Sequence, residues 1–125
     1  MQTKIIIADD LPEMRLIFKE LLRTYNVDLT LVSDGVHVIE ALENNHYDLL
    51  ITDIEMEDMN GFEVIDYVRN SNDVRLRKMP VAAISGYSDD KELYFEHGFD
   101  EVLMKPIDKY QFIKLINRFC DNLVG

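Results

Sequence analysis

Residues 48–53 read DLLITD, an apolar run that ends in a carboxylate. The run does not alternate between polar and apolar residues, which is typical of a parallel strand covered by helices on both faces. Three further segments have the same character: residues 4–8 (KIIIA), 81–84 (VAAI) and 101–104 (EVLM). These four runs predict central strands. Residues 28–32 (DLTLV) alternate instead, which favours an edge strand with one wetter face.

The segments between these runs change to the 3.6-residue spacing of amphipathic helices, and we predict five of them. The first begins with Pro12, whose missing N–H costs nothing in a first turn. The fourth and weakest spans about Ser88 to His97 and ends before Gly98. The segment from Val74 to Met79 is predicted to be a loop. The apolar stripes of the other helices are Met14, Ile17, Phe18, Leu21, Leu22 and Tyr25; Val38, Ile39 and Leu42; Phe62, Ile65 and Val68; and Phe112, Ile113, Ile116, Phe119, Cys120 and Leu123.

Strand and helix thus alternate five times along the chain. Such alternation predicts an α/β fold, with a parallel sheet, right-handed crossovers and helices on both faces. Because the chain has 125 residues, we expect one domain over residues 1–125. In folds of this kind the active crevice lies at the carboxyl ends of the strands. The residues that follow each strand are therefore the candidates for function.

Composition excludes several classes of function. The chain carries 13 Lys and Arg against 24 Asp and Glu, a formal net charge of −11, which disfavours direct binding to nucleic acid or to an anionic membrane. The single cysteine, Cys120, cannot form an intramolecular disulfide. No apolar run of about 18 residues and no charged leader before an apolar stretch is found. We therefore expect a soluble cytoplasmic protein.

Charged and hydroxyl side chains follow four of the five predicted strands. The first strand is followed by Asp9 and Asp10, the third by Asp53, the fourth by Ser85 and the fifth by Lys105. Three carboxylates brought together repel one another unless a cation is present, and such oxygen ligands suit Mg²⁺ or Mn²⁺ better than zinc. The metal, the ammonium group and the hydroxyl group together suit a group with three anionic oxygens. We expect Asp53 to accept a phosphoryl group as an acyl phosphate.

The order and spacing of these residues resemble the receiver domain of response regulators, of the CheY-like type. The resemblance is carried by KIIIADD (4–10), LLITDIEMEDMNG (49–61), AAISG (82–86) and GFDEVLMKP (98–106), and it covers nearly the whole chain. It implies a flavodoxin-like, doubly wound sheet with strand order 2-1-3-4-5 and five helices on both faces. It also implies that Asp53 is the phosphoacceptor.

The resemblance implies the roles of the other residues in the crevice. Asp10 and Asp53 correspond to direct Mg²⁺ ligands, Asp9 to a ligand through water, and the backbone carbonyl of Glu55 to a further ligand. Lys105 corresponds to the lysine that contacts the phosphoryl group and precedes a cis proline. Ser85 corresponds to the switch hydroxyl.

The chain departs from the family pattern at three places. Glu57 stands where proline is common, and Val102 stands where an aromatic switch residue is usual. Val102 therefore puts the usual coupling of a hydroxyl to an aromatic side chain in doubt. Tyr87 and Glu55 are both bulky beside the expected phosphorylation site, and we expect Tyr87 to shield an acyl phosphate on Asp53.

The function implied is a phosphorylation-dependent signalling switch that receives its phosphoryl group from a histidine kinase or a histidine phosphotransfer protein. It turns over no independent substrate. A helical wheel places Leu16 on the exposed side of the first helix, so we expect the donor to dock near Leu11, Met14 and Leu16.

Three alternatives stay open at this point. A phosphatase of the haloacid-dehalogenase kind also uses an aspartate after an apolar strand, but Asp53-Ile54-Glu55 lacks its second aspartate. An adaptor of the same fold would not need phosphorylation. A flavin-binding protein would need a cradle rich in glycine and hydroxyl groups where this chain has acidic residues. The sequence does not identify the output, the cognate kinase or the oligomeric state, nor does it separate a stand-alone receiver from a segment of a longer regulator.

Overall fold

The computed structural model describes residues 2–86 and 90–120. The described residues form one parallel sheet with the strand order β2-β1-β3-β4-β5, as predicted. The five strands are β1 (Thr3–Ala8), β2 (Val27–Val32), β3 (Leu49–Asp53), β4 (Val81–Ser85) and β5 (Glu101–Met104). Every neighbouring pair is parallel; Ile7, for example, pairs with Leu31 of β2 and with Ile51 of β3.

The two edge strands differ in burial. Strand β2 is half-buried along most of its length, as its alternating sequence predicted. Strand β5 lies at the other edge, although its apolar run predicted a central strand. Its residues Val102 and Leu103 are both buried, one on each face of the sheet. An edge strand that is covered by helices on both faces therefore has the same apolar sequence pattern as a central strand.

Six helices are found in the described part of the chain, one more than predicted. They are α1 (Pro12–Leu22), α2 (Gly35–Asn44), α3 (Gly61–Arg69), α4 (Val74–Arg77), α5 (Lys91–His97) and α6 (Lys109–Phe119). The prediction of a loop over residues 74–79 was therefore wrong for its first four residues. The single turn of α4 begins because the Asp73 carboxylate accepts a hydrogen bond from the Arg75 N–H. A segment of four residues is too short for helical periodicity to reveal it.

The predicted fourth helix, α5, begins later than expected. Its first residue is Lys91, and Asp90 caps it by accepting a hydrogen bond from the Leu93 N–H. Gly98 ends it in the left-handed conformation, with φ of 110°, as its position after the helix predicted. The predicted starting residues Ser88 and Asp89 lie outside the described residues.

The sheet separates two hydrophobic cores. One face packs against α1 and α6 around Phe18 and Phe112, whose ring centroids are 5.4 Å apart. The other face packs against α2, α3 and α5 and includes Val38, Val64 and Tyr94. Helices on both faces confirm the doubly wound architecture. Of the chain's last five residues, Leu123 had been predicted to extend the stripe of α6, and it lies outside the described residues.

The first helix exposes more apolar surface than its stripe predicted. Leu16 is 61% exposed, in agreement with the helical wheel, but Ile17 is also 43% exposed. Ile17 lies at the margin of the stripe, and only Phe18 and Leu22 are fully buried in α1. The outward face of α1 is therefore more apolar than the sequence alone indicated.

Candidate functional site

The carboxyl ends of the central strands meet in a cleft of about 640 Å³. Its walls include Asp10, Asp53, Ser85 and Lys105, which come from the ends of four different strands. Asp9 lies behind this wall and is completely buried, whereas Asp10 is exposed. The structure thus brings together all five side chains that the sequence selected.

The three aspartates form one cluster. Asp9, Asp10 and Asp53 each present a carboxylate oxygen, and these oxygens all lie within 4.8 Å of one another. Glu55, whose backbone carbonyl was the fourth predicted ligand, follows β3 and lines the same cleft with an exposed side chain. Three carboxylates at this spacing can hold a metal ion with oxygen ligands.

Both oxygens of the Asp53 carboxylate accept hydrogen bonds. Its Oδ1 accepts from the Glu55 backbone N–H at 3.2 Å, and its Oδ2 accepts from the Lys105 ammonium group at 3.2 Å. Asp53 is the last residue of β3 and is 5% exposed. Its carboxylate is therefore fixed in orientation at the base of a cleft that opens to solvent.

Asp9 is held less completely. Its Oδ1 accepts a hydrogen bond from the Leu11 N–H at 3.0 Å. For its buried Oδ2, the described part of the chain supplies no hydrogen-bond partner, and the Lys105 nitrogen stands 3.8 Å away. Burial, and then the charges of Asp53 and Asp10, raise the pKa of Asp9 above its ordinary value, against the opposing effects of the Leu11 N–H and Lys105. An orphaned buried carboxylate oxygen beside two further carboxylates fits a divalent cation, which would satisfy it.

Lys105 is the positive counterpart of this cluster. Burial, the largest single influence, lowers its pKa, but the charges of Asp53 and Asp9 and the hydrogen bond to Asp53 together raise it above its ordinary value. Lys105 therefore stays charged. The peptide bond between Lys105 and Pro106 is cis, as the family resemblance implied.

The backbone after β3 is fixed by a close contact with the start of α3. The Gly61 N–H donates to the Ile54 carbonyl at 2.9 Å. A Cβ atom at Gly61 would lie 2.7 Å from the Asp53 carbonyl oxygen, so only glycine fits without a shift of the backbone. Asn60 and Glu63 form a capping box at this helix start. Glycine therefore lets α3 approach the end of β3 at Asp53.

Among the polar side chains that line the cleft, the sequence did not reveal Tyr94. Its hydroxyl lies 2.7 Å from the Ser85 Oγ, and both residues are buried. Tyr94 belongs to α5, the weakest predicted helix, and nothing in its spacing from Ser85 singled it out. Tyr87, predicted to shield the site, lies outside the described residues, and its role stays a prediction.

Of the three predicted docking residues, Leu11 lies at the cleft, and Met14 and Leu16 lie on α1, which begins directly after it. Leu11 lines the cleft itself and is 43% exposed, while Met14 is half-buried. Leu16 and Ile17 are exposed on α1, whereas Met14 packs against the core beneath it. In the described ranges, 2–86 and 90–120, no helix has the length and apolar character needed to cross a bilayer.

The fold and the site together define a doubly wound α/β protein with an acidic cleft at its switch point. The family model of the response regulator receiver domain matches residues 5–117. The chain therefore belongs to the response regulator receiver domain family of two-component systems. This membership decides against the dehalogenase-type and flavin-binding alternatives.

Relatives of known sequence include both short proteins and sensors. The chain is 26% identical to the polar-differentiation response regulator DivK of Brucella ovis over 116 residues, covering 91% of this chain and 92% of DivK. It is 33% identical to the sensor protein EvgS of Escherichia coli K12 over 105 residues, which are 82% of this chain but only 8% of EvgS. The chain thus spans a small part of some relatives and nearly all of others.

Solved structures share the fold. Chemotaxis response regulator CheY4 of Vibrio cholerae superimposes with a TM-score of 0.86 at 20% identity, covering 96% of this chain and 100% of that one. The receiver domain of sensor histidine kinase PA1611 of Pseudomonas aeruginosa gives 0.84 at 21% identity, covering 95% and 98%. A magnesium ion is coordinated in the active site cleft of that Pseudomonas domain.

Proposed function

We propose that residues 1–125 form one receiver domain that accepts a phosphoryl group on Asp53 in the presence of Mg²⁺ and signals by the resulting change of conformation. One observation carries this proposal: the Asp53 carboxylate is fixed between the Lys105 ammonium group and two further carboxylates, in a cleft that opens to solvent. The domain turns over no independent substrate.

The cation site comprises Asp9, Asp10, Asp53 and the backbone carbonyl of Glu55. A bound Mg²⁺, or Mn²⁺ in its place, supplies positive charge that offsets the repulsion between the carboxylates and the incoming phosphoryl oxygens. The orphaned Oδ2 of Asp9 supports this assignment, because a buried carboxylate oxygen without a hydrogen bond costs free energy until a cation satisfies it.

The transfer step is an in-line displacement at phosphorus. A carboxylate oxygen of Asp53 forms the new bond to phosphorus, the nitrogen–phosphorus bond of the donor phosphohistidine breaks, and the imidazole leaves and takes up a proton. The Lys105 ammonium group contacts the Asp53 carboxylate before transfer and the phosphoryl oxygens after it. The Ser85 hydroxyl donates a hydrogen bond to one of the phosphoryl oxygens. Hydrolysis of the acyl phosphate later returns Asp53 and releases inorganic phosphate.

The donor is a histidine kinase or a histidine phosphotransfer protein, and it docks on the apolar surface formed by Leu11, Met14, Leu16 and Ile17. Support for this choice comes from Leu11, which lines the cleft, and from the exposed Leu16 and Ile17 on the helix that begins directly after it. A helix that carries phosphohistidine has to approach this opening to reach Asp53. An apolar helix face is a suitable partner, because exposed Leu, Met and Ile side chains pack against such a face.

The experiment is phosphorylation by acetyl phosphate with Mg²⁺, followed by intact mass spectrometry. The wild-type protein should gain the mass of one phosphate, and Asp53→Asn should gain none, because the amide cannot act as the nucleophile. The matched control is Asp58→Asn, an exposed aspartate in the loop after β3, which should be labelled like the wild type. Labelling of Asp53→Asn at another residue would show that this other residue is the phosphoacceptor. A wild type that stays unlabelled would favour a phosphorylation-independent adaptor.

Lys105→Ala separates metal binding from the response to phosphate. The variant should still be stabilised by Mg²⁺, since the three carboxylates remain, but its spectroscopic change on phosphorylation should be much smaller. Loss of Mg²⁺ stabilisation in this variant would contradict the separate roles given to Lys105 and the aspartates.

A further inference from the structure

The tyrosine that sequence reasoning missed stands at the junction of the cleft and a helix. Tyr94 and Ser85 both line the cleft that holds Asp53. The oxygen–oxygen distance between their hydroxyl groups is 2.7 Å, a short hydrogen bond between two buried groups in which either oxygen can be the donor. Ser85 ends β4, whereas Tyr94 lies in the middle of α5.

The position of the Tyr94 hydroxyl is fixed by packing of its ring. The ring stacks on Phe62 of α3 with a centroid distance of 5.4 Å and an interplanar angle of 17°. Phe99 meets it edge-on at 6.1 Å. Tyr94 is only 4% exposed, so its ring has little freedom to move away from Ser85. Val102, which replaces the aromatic residue usual on the fifth strand, belongs to the same buried cluster.

The chemistry of the two hydroxyl groups gives the hydrogen bond a direction once the site is phosphorylated. A serine hydroxyl has one proton to donate and two lone pairs to accept with. When Ser85 donates its proton to a phosphoryl oxygen, its oxygen can only accept from Tyr94. A phenol is the more acidic of the two hydroxyls, which favours Tyr94 as the donor in that arrangement.

We propose that Tyr94 is a positioning residue: its hydroxyl donates to the Ser85 Oγ and so turns the Ser85 proton toward the phosphoryl group on Asp53. This inference rests on the proposed phosphorylation of Asp53. It links α5 to the occupancy of the cleft through a hydroxyl pair, at a place where the chain has valine on β5. Phosphorylation fixes the donor direction and thereby ties α5 more firmly to the end of β4.

The test is the rate of phosphate incorporation from acetyl phosphate with Mg²⁺, measured for the wild type, Tyr94→Phe, Ser85→Ala and the double variant. Tyr94→Phe keeps the stacked ring and removes only the hydroxyl. We expect it to slow incorporation about fivefold, the size of one ordinary hydrogen bond. Ser85→Ala should slow it at least as much, and the double variant should be no slower than Ser85→Ala alone.

The double variant separates positioning from a merely structural role, since a general loosening of α5 would slow both backgrounds equally. Tyr67→Phe is the matched control, because that hydroxyl is exposed and its contact among the described residues is one of 3.5 Å with Glu43. The rate of this variant should equal the wild type's. A wild-type rate in Tyr94→Phe, or equal slowing in both backgrounds, would overturn this inference and leave the proposed function intact. A wild type that takes up no phosphate would overturn both.

Discussion

Arg69 and Asp9 are two charged side chains, largely shielded from solvent, that lie at opposite ends of the strands of the same sheet. They differ in how completely the chain satisfies their hydrogen-bonding groups. Arg69, at the end of α3, is 22% exposed, and its guanidinium group makes four hydrogen bonds. Asp9, at the end of β1, is completely buried, and one of its oxygens has no hydrogen bond from the described residues. The guanidinium group of Arg69 therefore has several hydrogen-bond partners within the fold, whereas one carboxylate oxygen of Asp9 has none among the described residues.

Arg69 connects four segments of the chain near the amino ends of the strands. Its nitrogens donate to the carbonyls of Gly98, Arg77 and Met79 at 2.7 to 2.9 Å and to the Asp100 carboxylate at 2.9 Å. These partners stand at the end of α5, the end of α4 and the approaches to β4 and β5. A planar guanidinium group with five N–H donors suits such a site, because one side chain can satisfy several carbonyls at once.

The difference separates structure from function. A half-buried charge that makes its hydrogen bonds to groups of the same chain stabilises one arrangement of the elements. A buried carboxylate with an open position costs stability in the free protein and gains it when a cation binds. We therefore expect these two sites to respond in opposite directions to removal of their charge.

The largest effect is expected for Arg69→Met. This change keeps the aliphatic length of the side chain but leaves three carbonyls without their donors, and it should lower the free energy of unfolding by roughly 3 kcal/mol. Urea denaturation measures the loss. Arg23→Met is the matched control, because Arg23 pairs with Glu20 at 3.1 Å and both side chains are mostly exposed. The control should change stability by less than about 0.5 kcal/mol. Equal effects of the two substitutions would show that the hydrogen bonds of Arg69 do not stabilise the fold more than an exposed ion pair does.

Added Mg²⁺ should give the next largest effect, with the opposite sign. If the aspartate cluster binds the ion, an excess of a hundredfold over Kd stabilises the fold by about 2.7 kcal/mol. Thermal unfolding with and without Mg²⁺ measures this stabilisation. Asp10→Ala should show little of it, since one of the ligands is gone. An unchanged melting temperature in the wild type, or the same shift in the variant, would contradict the assignment of a cation site to these aspartates.

Asp9→Asn should stabilise the protein in the absence of metal. The raised pKa of Asp9 means that the folded protein disfavours its charge, so a neutral amide of the same size should raise the free energy of unfolding by roughly 1 kcal/mol. The same variant should lose most of the stabilisation by Mg²⁺. Denaturation in the presence of a chelator gives the first result, and repeating it with Mg²⁺ gives the second. Destabilisation of the metal-free variant would mean that Asp9 is satisfied within the fold, like Arg69.

The smallest effect concerns pH. Because the folded-state pKa of Asp9 lies above its ordinary value of 3.8, the folded protein binds more protons than the unfolded chain just above that pH. The contribution of Asp9 to stability is therefore least unfavourable at low pH and becomes more unfavourable as pH rises through the folded-state pKa. The measurement is the difference in unfolding free energy between Asp9→Asn and wild type, without metal, from about pH 4 to about pH 7. The difference should grow and then level off; a constant difference would contradict the pKa shift.

The two sites also differ in how far the sequence reveals them. Asp9 and Asp10 follow the run KIIIA, Asp53 follows DLLIT, and Lys105 follows EVLM. Since the carboxyl ends of parallel strands share one edge, their position in the sequence is enough to bring them together. Arg69 carries no such signal. Three of its four partners are backbone carbonyls, which every residue has, and all four lie 8 to 31 positions further along the chain.

The sequence by itself determined the five strands, the two covered faces of the sheet and the residues of the acidic cleft, because strand periodicity and strand-end position are local properties of the chain. The order of the strands in the sheet came from the resemblance to the receiver family. Only the tertiary structure decided the close approach of Gly61 to Asp53, the open oxygen of Asp9 and the hydrogen bond from α5 to Ser85. Those features depend on distances between elements that are remote in sequence, and such distances are set by how whole helices pack on the sheet. Tyr94 is one more aromatic residue in a weak helix until that packing brings its hydroxyl to the edge of the cleft.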